Sequence, residues 1–274
     1  RARAAGLEAV LADGTGVRRM AGLAKDNAGF ALGQLLIGSE GTLGVVTRVL
    51  WRLVPRCDAR VTALVPVASA ADAAALLAAL RAHAPSLEGC EFFLDDGLSL
   101  VLDAQLRPSP LAQRAPAYVL AECAARTDPT EELAAALEAA GVEDALIADD
   151  SAGREGLWAL REGHTEAINA AGVPHKMDVG VPLAQLGRFL ERAPGAVAAA
   201  VPDVADVRTF LFGHLGDGNV HVNVLGPAPD DHRADDAVLE LVLACGGTIS
   251  AEHGVGVARA GWLERARGAG EVAA

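Results

Sequence analysis

The run Phe210-Leu-Phe-Gly-His-Leu-Gly-Asp-Gly-Asn-Val-His-Val-Asn-Val224 constrains this chain more than any other, because it reads both as a β-hairpin and as a site. Asp217-Gly218 predicts a two-residue type I′ turn, in which both central residues need positive φ and Gly supplies it without steric cost. That turn would pair Gly216 with Asn219, Leu215 with Val220 and His214 with His221. Side chains alternate between the faces of a strand. Leu211, Leu215, Val220, Val222 and Val224 therefore form one apolar face, broken only by Gly213, and that face belongs to a core. The other presents His214, His221 and Asn223 beside Phe212. Directly opposed residues have Cβ atoms about 4.5–5.5 Å apart, close enough for two imidazoles to hold one ion. Two histidines hydrogen-bonding in a polar groove is the alternative, and the hairpin alone leaves both open.

A face of that kind needs partners, and the composition supplies them. The chain has 274 residues, 51% of them hydrophobic, enough for one large domain or two. Only 4% are aromatic, so Ala, Val and Leu must build the interior. With 23 basic against 36 acidic residues the net charge is −13. No broad basic surface exists to neutralise phosphates, which argues against nucleic acid or an anionic membrane as partner. An anionic substrate must instead be met by a few placed cations. Cys57, Cys90, Cys123 and Cys245 lie far apart with no CxxC, so a local iron–sulfur or zinc-knuckle site is excluded and free thiols in a reducing cytoplasm are expected. No membrane span of 18 uninterrupted apolar residues occurs. The opening Arg1-Ala-Arg-Ala has neither an initiator Met nor a signal-peptide pattern, and the chain reads as part of a longer protein.

Leu7 to Gly14 predicts a strand running into a turn, and Val45 to Leu53 a strand ending at Pro55. Between them, Ile37-Gly-Ser-Glu-Gly-Thr-Leu-Gly44 places three glycines in seven residues beside Ser39 and Thr42. Such a loop lets backbone N–H groups approach an anion or a flat ring, although most Gly/Ser loops only connect. After Cys57 strands alternate with helices. Strands are expected at 60–67, 90–93 and 117–122, and helices after Ser69, after Phe93, from Thr127 and over 152–170. Residues 106–116, with three prolines, read as a loop. Pro194-Gly195 is the clearest break before the hairpin. Arg161 and Thr165 share a face of the 152–170 helix, where an Arg is ordinarily a solvated charge. In Val173 to Val181, Lys176 and Asp178 face away from Val173, His175, Met177, Val179 and Val181. A helix is expected over 231–245. Glu252 and His253, as neighbours on an extended chain, point to opposite sides unless a bend such as Gly254 intervenes.

Three motifs in order, Ile37-Gly-Ser-Glu-Gly-Thr-Leu-Gly-Val-Val-Thr47, Gly213-His-Leu-Gly-Asp-Gly-Asn-Val-His221 and Ser250-Ala-Glu-His-Gly-Val-Gly256, resemble the FAD-linked oxidases of the vanillyl-alcohol-oxidase superfamily. The similarity is to the branch of D-lactate, glycolate and D-2-hydroxyglutarate dehydrogenases, and it runs from about Leu7 to Val257. The resemblance implies an α+β fold: a partial PCMH-type FAD-binding subdomain over 1–55, and a cap domain over 56–250 with an antiparallel sheet flanked by helices. Residues 251–274 would return towards the flavin domain. It further implies FAD bordered by Gly38, Ser39, Glu40, Gly41, Thr42, Gly44 and Val45. A divalent metal, zinc first, would sit on His214, His221 and Glu252. Substrate would bind through Arg161, Thr165, Lys176 and Asn223, with His253 as the catalytic base. The family's upstream glycine-rich FAD segment and its downstream Asn-Pro stretch have no counterpart in this sequence.

The activity implied is FAD-dependent oxidation of a small D-2-hydroxy acid to the 2-oxo acid. Its electron acceptor is unspecified, and a homodimer is left open as the assembly. Such chemistry needs cations for the carboxylate, a Lewis acid or hydrogen bonds on the hydroxyl, and a base within reach. Two rivals belong to other classes. One is a non-catalytic metal-binding module; the other is a metal-dependent hydrolase, in which two His and a Glu leave one position open for water.

Overall fold

A computed structural model describes residues 2–274, and Arg1 lies outside the described residues. The chain divides into two compact units, residues 1–56 with 256–260, and residues 57–255 with 261–274. Of the C-terminal segment after residue 250, then, only 256–260 group with the smaller unit.

In the smaller unit β1 (Ala4–Val10), β2 (Gly16–Arg19) and β3 (Val45–Trp51) form an antiparallel sheet in the order β2-β1-β3, and α1 (Leu32–Leu36) lies between β2 and β3 in sequence. Gly14, at φ 83°, makes the turn after β1, and Asp13 Oδ1 accepts from Thr15 N at 2.9 Å. The four residues of β2 are too few for a period-two pattern to announce them. The core of this unit is small, with Leu7, Ala9 and Leu36 buried. Val45, Val49 and Trp51 of β3 are all exposed.

The larger unit runs β4 (Ala59–Val67), α2 (Ala70–His83), β5 (Leu87–Leu94), α3 (Asp95–Ala104), β6 (Ala117–Ala125), α4 (Thr130–Ala139), β7 (Leu146–Ala148), α5 (Ser151–Ala171), β8 (His175–Gly180), α6 (Leu183–Ala200), β9 (Arg208–His214), β10 (Asn219–Leu225) and α7 (Arg233–Ala244). Two short helices, α8 (Leu263–Arg267) and α9 (Ala269–Ala273), follow. Its strands make one seven-stranded sheet, ordered β7-β4-β6-β5-β9-β10-β8, with every neighbouring pair antiparallel. The α+β class expected from the alternation is the class observed.

Both faces of this sheet are covered. Leu211, Leu215, Val220, Val222 and Val224 are buried with Leu76 and Leu80 of α2, Leu133 of α4, Leu186 and Phe189 of α6 and Val238 and Val242 of α7. On the opposite face, Phe93, Tyr118, Leu120, Phe210 and Phe212 pack with Leu98 and Leu102 of α3 and Leu157, Leu160 and Ile168 of α5. Local signals start several helices. Ser69 Oγ accepts from Asp72 N at 3.1 Å and caps α2, and Asp150 Oδ1 accepts from Gly153 N at 2.9 Å and caps α5.

The break expected at Pro194-Gly195 is not there, because α6 continues through Pro194. A proline inside a helix removes one hydrogen bond and crowds the preceding turn. Here Leu186, Phe189, Leu190, Ala193 and Val197 are all buried, so the apolar stripe extends to both sides of the proline and packing holds the helix together. Sequence punctuation lost to tertiary burial.

The hairpin turn also differs from the expectation. His214 pairs with Asn219 and His221 with Phe212, so four residues, 215–218, connect the strands instead of two. Of the two turn residues only Gly218 has positive φ, at 77°, whereas a type I′ turn requires it at Asp217 as well. Asp217 instead accepts from Asn219 N through Oδ1 at 3.1 Å, and His214 O accepts from Gly218 N at 3.1 Å. The register thus moved by two residues. An even shift conserves the face of every side chain, so the apolar and polar faces are those read from the sequence.

That division has a direct test. Val220→Ala should lower the stability of the chain by about 2 kcal/mol, the cost of two buried methyl groups with their cavity. His221→Ala, on the other face, should cost clearly less. Urea unfolding midpoints of the two variants measure the difference.

Candidate functional site

Strand register lays polar side chains in rows across the face that carries α3 and α5. One row runs Glu91, His214, Asn219 and Gly180; the next runs Phe93, Phe212, His221 and Asp178; a third runs Phe210, Asn223 and Lys176. His214 and His221 are diagonal neighbours, not an opposed pair. Their ring centroids are nonetheless 5.3 Å apart, with the planes at 80°.

Two buried carboxylates flank the imidazoles. His214 Nδ1 lies 2.8 Å from Glu91 Oε1, and His221 Nδ1 lies 3.5 Å from Asp178 Oδ1. Glu91 Oε2 accepts from Arg161 Nε at 2.9 Å, and Arg161 Nη2 is 2.9 Å from the same oxygen. The Arg161 guanidinium carbon sits 4.9 Å from the centre of the Phe212 ring. Arg161 is only 8% exposed, so the solvated charge expected of a helical Arg is wrong here: a buried carboxylate and an aromatic face have replaced water. The hydrogen bond to Glu91 raises the pKa of His214, outweighing burial. Burial alone would raise that of Asp178, but hydrogen bonds from His221, the Glu252 N–H, Asn219 and the His253 N–H hold it far below the usual carboxylate range.

Glu252 reaches this cluster along the sheet edge. Gly180 and Thr248 exchange backbone hydrogen bonds at 2.8 and 3.0 Å beside β8, and Ala251 N donates to Asp178 O at 3.2 Å. The Glu252 and His253 N–H groups then both donate to Asp178 Oδ2, at 2.8 and 3.0 Å. This bend removes the alternation of an extended chain. Glu252 Oε1 comes to 3.5 Å from His214 Nε2 and 3.9 Å from His253 Nε2, and the His253 ring stacks 6.0 Å from that of His221.

One nitrogen or oxygen from each of His214, His221 and Glu252 lies within 4.8 Å of the others. Two imidazoles and a carboxylate so placed suit a borderline divalent cation such as zinc. A further trio, His175, His232 and Asp235, is equally compact but differently arranged. His175 Nδ1 faces Asp235 Oδ2 at 2.9 Å and Nε2 faces Ala228 O at 3.0 Å. Both partners accept, so both nitrogens must donate and no lone pair is left for a metal.

The other residues singled out in the sequence are distributed around this cluster. Lys176 is exposed and pairs in register with Asn223, which is buried. Thr165 is exposed one turn beyond Arg161. The 38–45 loop belongs to the smaller unit. There Ser39 N donates to Leu36 O and Thr42 N to Ser39 O, so two of the N–H groups that could have met an anion are used in turns. Gly38, Glu40 and Gly41 have positive φ, and Gly41 is exposed with open space where a Cβ would stand.

Glu91 and Asn219 had no part in the sequence-based site, and Asp178 had no role there. A weak signal existed: Glu91 and Asp178 are carboxylates inside apolar strand runs, Cys90-Glu-Phe-Phe93 and Met177-Asp-Val179.

An antiparallel sheet with helices on both faces is a fold with solved examples. Alkyldihydroxyacetonephosphate synthase matches with a TM-score of 0.62 over 97% of this chain and 50% of its own, at 12% identity. p-Cresol methylhydroxylase matches with a TM-score of 0.62 over 91% of this chain and 58% of its own, at 14% identity. At such identities the likeness is one of fold. Residues 57–274 match the family model of FAD linked oxidases, C-terminal domain, and the chain belongs to that family. Among curated relatives, D-2-hydroxyglutarate dehydrogenase of Xanthomonas citri pv. viticola is 36% identical over 98% of this chain, and that of Stutzerimonas stutzeri 34% over 98%. The mitochondrial D-2-hydroxyglutarate dehydrogenase of Bos taurus is 33% identical over 92%. The chain spans 58%, 60% and 47% of the lengths of these three relatives.

The His175 arrangement generates an expectation for pH. Burial opposes its charge, but donation to Asp235 and to the Ala228 carbonyl outweighs this and the pKa is raised. A group whose folded pKa exceeds its unfolded value of about 6.5 adds stability that is complete below that pH and lost as pH rises through the folded pKa. His175→Gln should therefore be destabilised most at acidic pH, and the gap from wild type should narrow as the solution becomes alkaline. Thermal melts across that range measure it; a gap independent of pH would remove the charge from this account.

Proposed function

We propose that this chain is the substrate-side part of an FAD-dependent D-2-hydroxy-acid dehydrogenase, acting on an acid of the lactate, glycolate or 2-hydroxyglutarate type. The observation that carries this reading is the compact ligand set of His214, His221 and Glu252 within a member of the FAD-linked oxidase family. Residues 1–55 are read as part of the flavin-binding subdomain and 56–250 as the cap. Three buried thiols and one partly buried one, all unpaired, agree with a cytoplasmic location. No helix is long and apolar enough to cross a membrane among the described residues.

FAD, bordered by the 38–45 loop, would supply the acceptor for the hydride leaving substrate C2. His214, His221 and Glu252 would hold a divalent ion, whose chemistry is that of a Lewis acid towards a hydroxyl. Lys176, exposed beside Asn223, offers an ammonium to the substrate carboxylate, and Asn223 a hydrogen-bonding amide. Arg161 contributes differently from a free cation, since Glu91 already holds Nε and Nη2; its role is to present a partly neutralised guanidinium and to fix its neighbours. Thr165 adds a hydroxyl on the same helix. His253, exposed and 3.9 Å from Glu252, would take the hydroxyl proton on Nε2. The hydrolase and the non-catalytic module would use the same cluster, and no further observation favours either.

Kinetics of the full-length flavoprotein test the substrate roles. Lys176→Ala should raise KM for the hydroxy acid about 10- to 100-fold, consistent with losing a charge-assisted hydrogen bond of about 1.5–3 kcal/mol, with the melting temperature unchanged. Arg161→Ala should impair catalysis and also lower stability, because it strips a buried carboxylate of its cation. Wild-type KM in Lys176→Ala would refute the assignment of that residue.

Metal analysis tests the other half. The protein should carry a divalent ion, and chelation should abolish turnover and be reversed by zinc. His221→Ala should lose metal and most activity together. Chelator-insensitive activity would reduce the two histidines to hydrogen-bonding groups.

A further inference from the structure

His214 and His221 turn the same ring atom to a buried carboxylate. His214 Nδ1 is 2.8 Å from Glu91 Oε1, and His221 Nδ1 is 3.5 Å from Asp178 Oδ1. An ionised carboxylate only accepts, so the nitrogen facing it must carry the proton. In a neutral imidazole the lone pair is then on Nε2. For His214, Nε2 is the nitrogen that faces Glu252, at 3.5 Å.

We propose that Glu91 and Asp178 are positioning residues that lock His214 and His221 as Nδ1–H tautomers, so that both Nε2 lone pairs are presented to one divalent cation. The proposal rests on the metal reading above. It concerns the groups behind the ligands, and neither carboxylate touches substrate in it.

The two carboxylates are held in ways that suit this task. Glu91 is 7% exposed, and its second oxygen is fixed by Arg161 Nε and Nη2, so the carboxylate cannot swing away from His214. Asp178 is 2% exposed and accepts from Asn219 Nδ2 at 2.6 Å on Oδ1 and from the Glu252 and His253 N–H groups on Oδ2. The carboxylate that orients His221 thus also sets the backbone of the third ligand, Glu252. Ligands from β9, β10 and the segment after α7 are brought into one geometry by two side chains from β5 and β8. An anionic acceptor on Nδ1 also makes the opposite nitrogen a stronger base and hence a better ligand.

A third buried carboxylate shows what a purely structural role looks like on this face. Glu122, 8% exposed, accepts from Arg60 Nη1 at 2.6 Å, Thr62 Oγ1 at 2.8 Å and Trp158 Nε1 at 2.8 Å, with no imidazole among these partners. It supplies the control.

The first measurement is the tautomer of His214 and His221 in the metal-free wild-type chain, read from ring nitrogen-15 chemical shifts at a pH well above the histidine range. Nδ1–H at both is expected; Nε2–H at either overturns the proposal without bearing on whether metal binds. The second is zinc affinity by competition with a chelating indicator. Glu91→Gln and Asp178→Asn should each weaken zinc binding by about 10- to 100-fold, whereas Glu122→Gln should leave it unchanged. Unchanged affinity in both test variants, or an equal loss in Glu122→Gln, overturns the positioning role. A wild-type chain that shows both Nδ1–H tautomers but takes up no zinc overturns the metal reading itself, and the proposal with it.

Discussion

The larger unit depends on one constraint, the two-residue period of a strand in a sheet that is covered on both faces. Every side chain of β9 and β10 must go to one core or the other, and a slip by one residue would send Val220 and Val222 into the polar cluster and His221 into an aliphatic interior. Such a slip would bury unpaired imidazoles among Leu and Val at several kcal/mol. The observed register differs from the simplest hairpin by two residues, which the constraint permits. The site survives a change of turn because its residues share a face, and the face is what burial enforces.

Within that frame the polar groups are arranged by ownership. Three buried carboxylates lie on the face covered by α3 and α5, and each has its own donors: Arg161 and His214 for Glu91, Arg60, Thr62 and Trp158 for Glu122, and Asn219 with two backbone N–H groups for Asp178. A buried charge without partners costs far more than it returns, whereas a fully satisfied one fixes a single geometry. The chain's excess of acid is therefore no diffuse feature where it matters. It is divided into local sets, and two of these sets stand directly behind imidazoles.

His164 shows the same economy with the opposite outcome. It lies between the Phe93 and Phe212 rings, with centroids at 5.1 and 4.9 Å, and its pKa falls to about 4 through burial and the nearby Arg161 charge. A neutral histidine there acts as an aromatic filler, three residues from an arginine whose buried guanidinium is partnered by Glu91.

The sequence by itself determined the elements and the faces. Ser69, Pro129 with its following acids, and the alternation in 173–181 and 210–224 mark helix starts and strand faces through interactions a few residues long. The grouping of His214, His221 and Asn223 on one face follows from alternation alone, and the motif pattern pointed to the family. Tertiary structure decided what depends on distant partners. The four-residue turn is stabilised by Gly216 N donating to Cys90 O in β5 and Gly218 O accepting from Val181 N just after β8, both distant in sequence. α6 passes through Pro194 because a core spans it. Arg161 is buried because Glu91, 70 residues earlier, lies on the neighbouring sheet. Glu252 and His253 turn to the same cluster because Asp178 captures both their N–H groups, 74 and 75 residues away in sequence. Local patterns encode which way a side chain points; which group it meets there is set by strand order and edge pairing, and these arise only when the whole sheet is assembled.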